Sequence, residues 1–104
     1  MTKIVAVTAC IAGIAHTYMA KANLEKFSKK HDIEIKVETQ GAMGMENKLS
    51  TSDIESADIV IFAVDTNVSE RDRFSGKKII EVGTTEVIKN GEKIIEDILN
   101  KINN

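Results

Sequence analysis

The chain has 104 residues, 42% of them apolar, and a net charge of −2 from 14 Lys and Arg against 16 Asp and Glu. That length predicts one domain, residues 1–104, and the charge balance excludes the strong basic excess of a general nucleic-acid binder. A single cysteine rules out an internal disulfide and leaves no metal-ligand spacing, so a soluble chain in a reducing, cytoplasmic setting is expected.

Lys3 to Ala9, "KIVAVTA", is short, β-branched and almost wholly apolar. It reads as a strand buried on both faces. The apolar stretch from Ile4 to Ala15 is broken by Thr8 and is too short to span a membrane. From Ile14 to Lys30 the period becomes helical, with Ala20, Leu24 and Phe27 on one stripe. Ile33 to Thr39 alternates, which predicts a strand at an edge of the sheet with Glu34, Lys36 and Glu38 facing solvent. Gln40 to Lys48 carries two glycines and reads as a loop, and Ser50 or Ser52 is placed to cap a short helix. Asp58 to Val64 is a second fully apolar strand. Ser69 to Lys78 is polar, Ile79 to Val82 gives a fourth strand, and from Thr84 onward the chain reads as a helix with Ile95, Ile98, Leu99 and Ile102 on one stripe. Asn90-Gly91 is expected to interrupt that helix.

Strands and helices alternate. This predicts an α/β, doubly wound domain with a four-stranded parallel sheet in the order 2-1-3-4 and helices on both faces. The order reverses between the first and third strands, where ligands bind at strand carboxyl ends. Cys10 follows the first strand and Asp65 follows the third.

Cys10 opens a loop, Cys10-Ile11-Ala12-Gly13-Ile14-Ala15-His16, that runs into the first turn of a helix. Unpaired N–H groups and the helix dipole at such a turn attract anions and favour a thiolate, the nucleophilic form of cysteine. Gly13 lets the backbone curl around a phosphate. Cys10 is thus a candidate nucleophile, although a lone cysteine is also a common buried residue. His16 is placed to share a proton with Cys10 or to stand as an ordinary first-turn histidine. Thr17 is placed to bond a phosphate oxygen or to cap the helix. Asp65, Arg71 and Arg73 are candidate phosphate or partner contacts, with a local cap and a solvated charged loop as the plainer alternatives.

Cysteine-dependent phosphatases use Cys-x5-Arg-Ser/Thr. Here the same spacing gives Cys10-x5-His16-Thr17. The arginine that clamps the phosphoryl group in the transition state is replaced by His16. The loop therefore suits holding a phosphate better than hydrolysing it.

"GIAHTYMA", preceded by Cys10, resembles the phosphorylation-site signature of the fructose-type enzyme IIB of the bacterial phosphoenolpyruvate-dependent sugar phosphotransferase system, which usually reads Cys-Pro-Thr-Gly-Ile-Ala-His-Thr. "VETQGAMGMENKL" (Val37 to Leu49), "DIESADIVIFAVD" (Asp53 to Asp65) and "RFSGK" (Arg73 to Lys77) resemble further family segments in family order. The resemblance implies that Cys10 takes a phosphoryl group from a phosphohistidine of enzyme IIA. It then passes it to a sugar, fructose or a relative, bound in the membrane enzyme IIC. It implies no metal and no cofactor on this domain. A phosphatase-like hydrolase and a non-catalytic regulatory domain are the alternatives.

Ile11-Ala12 replace the family's Pro-Thr, removing a backbone restraint and a hydroxyl donor. Ala12→Thr should therefore speed phosphoryl transfer; equal transfer rates in the two forms would count against a role for that hydroxyl.

Overall fold

The computed structural model describes residues 2–10, 14–41 and 44–103. The predicted loop residues Ile11, Ala12 and Gly13 lie outside them, as does Met43. The elements in chain order are β1 (Lys3–Ala9), α1 (Ile14–Lys30), β2 (Glu34–Gly41), β3 (Gly44–Glu46), α2 (Thr51–Ser56), β4 (Ile59–Val64), β5 (Ile79–Val82) and α3 (Thr84–Asn103), with a 3-10 turn at Arg71–Phe74 before β5.

β1 lies between β2 and β4 and pairs parallel with both, Ala6 opposite Val37 on one side and Ile61 on the other. Its central place explains its apolar run, since both of its faces are covered. The sheet order is β3-β2-β1-β4-β5. The four parallel strands thus stand in the predicted order, and a fifth is added. β3 pairs antiparallel with β2, Gly41 opposite Gly44, where a loop was expected. Three residues are too few to show an alternating pattern. Gly44 has φ +87°, a backbone conformation that glycine adopts without strain.

One face of the sheet is covered by α1 and α3. There Ile4, Ala6, Ile59 and Ile61 meet Ala20, Leu24, Val87, Ile95 and Ile98, all buried. The other face carries α2 and the 3-10 turn over Val5, Val7, Val60 and Phe62. Phe74 packs edge-on against Phe62, ring centroids 5.1 Å apart. Ser50, not Ser52, caps α2. Its hydroxyl accepts from the Asp53 N–H at 3.0 Å, and the Asp53 carboxylate accepts from the Ser50 N–H at 3.1 Å.

α3 is kinked at Asn90 (φ −131°, ψ 36°), at the predicted Asn-Gly. Two observations account for it. The Asn23 amide donates to the carbonyls of Val87 and Ile88 at 3.2 and 2.9 Å, carbonyls that a straight helix would bond to residues 91 and 92. A Cβ on Gly91 would also stand 3.0 Å from the Phe27 ring. His31 follows the last residue of α1. Its Nε2 lies 3.4 Å from Glu92 of α3.

β2 supplies a correction. Glu38 was expected on the solvent face, yet it is fully buried. Its carboxylate accepts from Arg73 Nη1 and Nη2 at 2.8 and 2.9 Å, from the Leu49 N–H at 2.9 Å and from the Gln40 amide at 2.7 Å. Burial alone would raise the Glu38 carboxyl; the bonds from Arg73, Leu49 and Gln40 outweigh it and hold the group below its ordinary 4.5. Gln40 also brackets Ser69, accepting from its N–H at 2.8 Å and donating to its carbonyl at 3.2 Å. β2 is thereby fastened to the segment that follows β4.

Arg73→Leu would leave a buried carboxylate unpaired and should destabilise the fold by about 3–5 kcal/mol in urea titration, while adding Glu38→Leu should recover much of that loss. The pH dependence has a definite sign. The folded carboxyl titrates below 4.5, so its stabilisation is complete above that pH and drains away as pH falls through the lowered folded value. An acid limb unchanged in Glu38→Gln would refute this.

Candidate functional site

The site lies where β1 and β4 end side by side. The Asp65 N–H donates to the Ala9 carbonyl at 2.9 Å, carrying the ladder one step past β4. Cys10 and Asp65 therefore leave the sheet as neighbours. Cys10 Sγ donates to Asp65 Oδ2 at 3.4 Å. Cys10 is 8% exposed, so its thiol stands just inside the surface. α1 starts at Ile14, and its first turn carries the exposed His16 toward the same spot. The thiol, an imidazole nitrogen and a carboxylate oxygen all lie within 4.8 Å of one another.

Asp65 is held from the far side by α3. The Thr84 N–H donates to Oδ1 at 3.2 Å, and the Thr84 hydroxyl donates to Oδ2. Asp65 thus caps α3 while facing the thiol. The Thr84 hydroxyl bond is the largest influence holding its carboxyl below the ordinary 3.8; partial burial opposes it, and the Thr84 N–H, the Cys10 thiol and the charge of His16 add to it. Two helix N-termini, those of α1 and α3, converge on one carboxylate and one thiol, and both favour negative charge there.

Other predicted residues are placed differently. Thr17 lies inside the first turn of α1, not at its cap, and its hydroxyl is buried with no hydrogen-bond partner among the described residues. Arg73 is occupied by Glu38. Arg71 lies over the Phe62 ring and reaches Glu81 at 3.3 Å. Among the described residues, neither arginine bonds Cys10. Thr84 was missed by sequence reasoning, although a threonine opening the helix after the last strand is a helix-start signal.

A thiol at the switch point of a doubly wound sheet, beside a histidine and without a free arginine, defines a phosphate-holding cysteine domain more readily than a hydrolase. A family profile described as "PTS system, Lactose/Cellobiose specific IIB subunit" matches residues 5–97. A fructose-like EIIB component 2 of Escherichia coli is 47% identical over 98 residues, covering 94% of this chain and 92% of that protein. A fructose-specific EIIABC component of Bacillus subtilis is 44% identical over 95% of this chain, which spans 15% of that longer protein. A crystal structure of a domain from a fructose-specific IIABC component of Borrelia burgdorferi superposes with a TM-score of 0.88 at 47% identity, covering 95% of this chain and 94% of that one. The chain belongs to the enzyme IIB family of the sugar phosphotransferase systems and is of the fructose type. It is a phosphoryl-transfer component of such a system, a phosphotransferase. The hydrolase and the purely regulatory alternatives are not favoured.

The Asp65 carboxylate opposes negative charge on Cys10. Two like charges about 4 Å apart repel by about 1 kcal/mol in water. Asp65→Asn should therefore speed alkylation of Cys10 at neutral pH roughly fivefold. An unchanged alkylation rate would show that the carboxylate does not govern the thiol.

Proposed function

We propose that Cys10 is the phosphoacceptor of this domain. It takes the phosphoryl group from a phosphohistidine of an enzyme IIA and passes it to a sugar, fructose or a relative, bound in a membrane enzyme IIC. The reading rests above all on the position of Cys10, at the end of β1 and facing Asp65 and His16. The domain acts as one unit, residues 1–104, on the cytoplasmic side. No helix among the described residues is long and apolar enough to cross a membrane.

In the first transfer Cys10 Sγ forms a bond to phosphorus as the bond from phosphorus to the donor imidazole nitrogen breaks. The thiol loses its proton, and the departing imidazole gains one. His16 is exposed at the mouth of the site and takes up the thiol proton. Asp65 favours the resulting imidazolium. The loop residues Ile11, Ala12, Gly13, Ile14 and Ala15 supply backbone N–H groups to the phosphoryl oxygens, and Thr17 supports the turn that carries them. In the second transfer the S–P bond breaks, an O–P bond forms to the sugar hydroxyl, and the hydroxyl proton compensates the departing thiolate. A phosphocysteine that is passed on has no need of the arginine clamp a hydrolase requires.

Incubation with the phosphoenolpyruvate-driven relay should add one phosphate to the intact mass of the chain and none to Cys10→Ala. His16→Ala should still reach one phosphate, at a rate lower by roughly a hundredfold. A phosphate gain in Cys10→Ala, or none in the unaltered chain, would overturn the assignment.

A further inference from the structure

The thiol, imidazole and carboxylate that meet at the end of β1 have a geometry that also suits a bound metal ion. In a tetrahedral zinc site the metal–sulfur bond is about 2.3 Å and the metal–oxygen bond about 2.0–2.2 Å, which sets the sulfur–oxygen edge at about 3.5 Å. Cys10 Sγ and Asp65 Oδ2 stand 3.4 Å apart, so that edge already exists. An imidazole nitrogen of His16 lies within 4.8 Å of both. His16 is exposed, so closing to the third corner needs only a side-chain adjustment of about 1 Å. Asp65 is oriented from behind by the Thr84 N–H and hydroxyl, the outer support that fixes a ligating carboxylate. A water molecule would complete the four-coordinate shell.

We propose that Cys10, His16 and Asp65 bind a divalent cation of the zinc class, and that this cation competes with the phosphoryl group for Cys10. Mixed sulfur, nitrogen and oxygen donors suit zinc or cobalt and disfavour magnesium or calcium. On binding, the thiol S–H bond breaks, a sulfur lone pair forms the bond to the metal, and the proton leaves to solvent. Nothing is oxidised or reduced. The same lone pair attacks phosphorus, so metal and phosphoryl exclude each other. The binding stands on geometry alone; the competition rests on Cys10 being the phosphoacceptor.

The sequence gives no spacing signal for this site, because its ligands come from the ends of β1 and β4 and from the first turn of α1. A second group, His31 with Glu92 and Glu96, also gathers ligand atoms within 4.8 Å, but it holds no sulfur. That difference makes the two separable.

Cobalt titration of the full chain carrying His31→Ala should load one cobalt per chain, release one proton, and give the near-ultraviolet charge-transfer band of a cobalt–thiolate bond. Cys10→Ser should abolish the band. Asp65→Asn and His16→Ala should each weaken binding roughly tenfold or more. Absence of the band in the His31→Ala chain, or affinity unchanged in both Asp65→Asn and His16→Ala, would overturn the site. One equivalent of zinc should then block the phosphate gain in intact mass, and a chelator should restore it. Phosphate gain undiminished with zinc bound would overturn the competition. A metal-free chain that gains no phosphate would defeat the phosphoacceptor assignment and leave the metal site standing.

Discussion

A fully buried carboxylate, that of Glu38, holds the working end of this molecule together. An isolated carboxylate cannot stay ionised inside a protein, so it must be surrounded by donors. The donors come from β2 itself, from the segment leading to α2 and from the 3-10 turn after β4. Three stretches of chain far apart in sequence are thereby brought to one point. Gln40 adds the tie to Ser69. Past the end of β4 the ladder runs one step further, and this polar cluster helps hold the backbone that follows. Ser69 and Arg73, in the segment that follows Asp65, are thereby tied to β2.

Asp65 serves two masters. Toward α3 it is a helix cap, taking a backbone N–H and a hydroxyl from Thr84. Toward β1 it is the partner of the Cys10 thiol. A carboxylate in that position accepts from the resting thiol and repels negative charge upon the sulfur. The helix termini work in the other direction. On the proposed assignment of Cys10 as phosphoacceptor, a group that is to be passed on is best held loosely, and opposed fields of this kind suit that.

Much of the architecture could be read from the residues. The apolar runs of β1 and β4 signalled central strands, the change of period located α1 to its last residue, and Asn90-Gly91 marked the kink in α3. Cys10 and Asp65 were placed together because strand order alone puts the ends of β1 and β4 side by side. The failures share a cause. Glu38 follows a clean alternation that marks it as exposed, and its partner Arg73 lies 35 positions away. Nothing local reveals that the two will meet. Thr84 is hidden in the same way, since its bond to Asp65 spans 19 positions. β3 is too short to carry a period, and it took the place of a predicted loop. Long-range polar pairs are invisible to pattern, whereas apolar periodicity is local and plain.

The kink in α3 divides that helix into two lengths, both of which pack on the core. The first length, before Asn90, starts at Thr84 and aims at Asp65. The second carries Ile94, Ile95 and Ile98 into the core. A straight helix would couple its aim to its packing, so that any repacking of the core would swing the site. Here the bend, held by Asn23 and by the absence of a side chain at Gly91, acts as a joint between foundation and instrument.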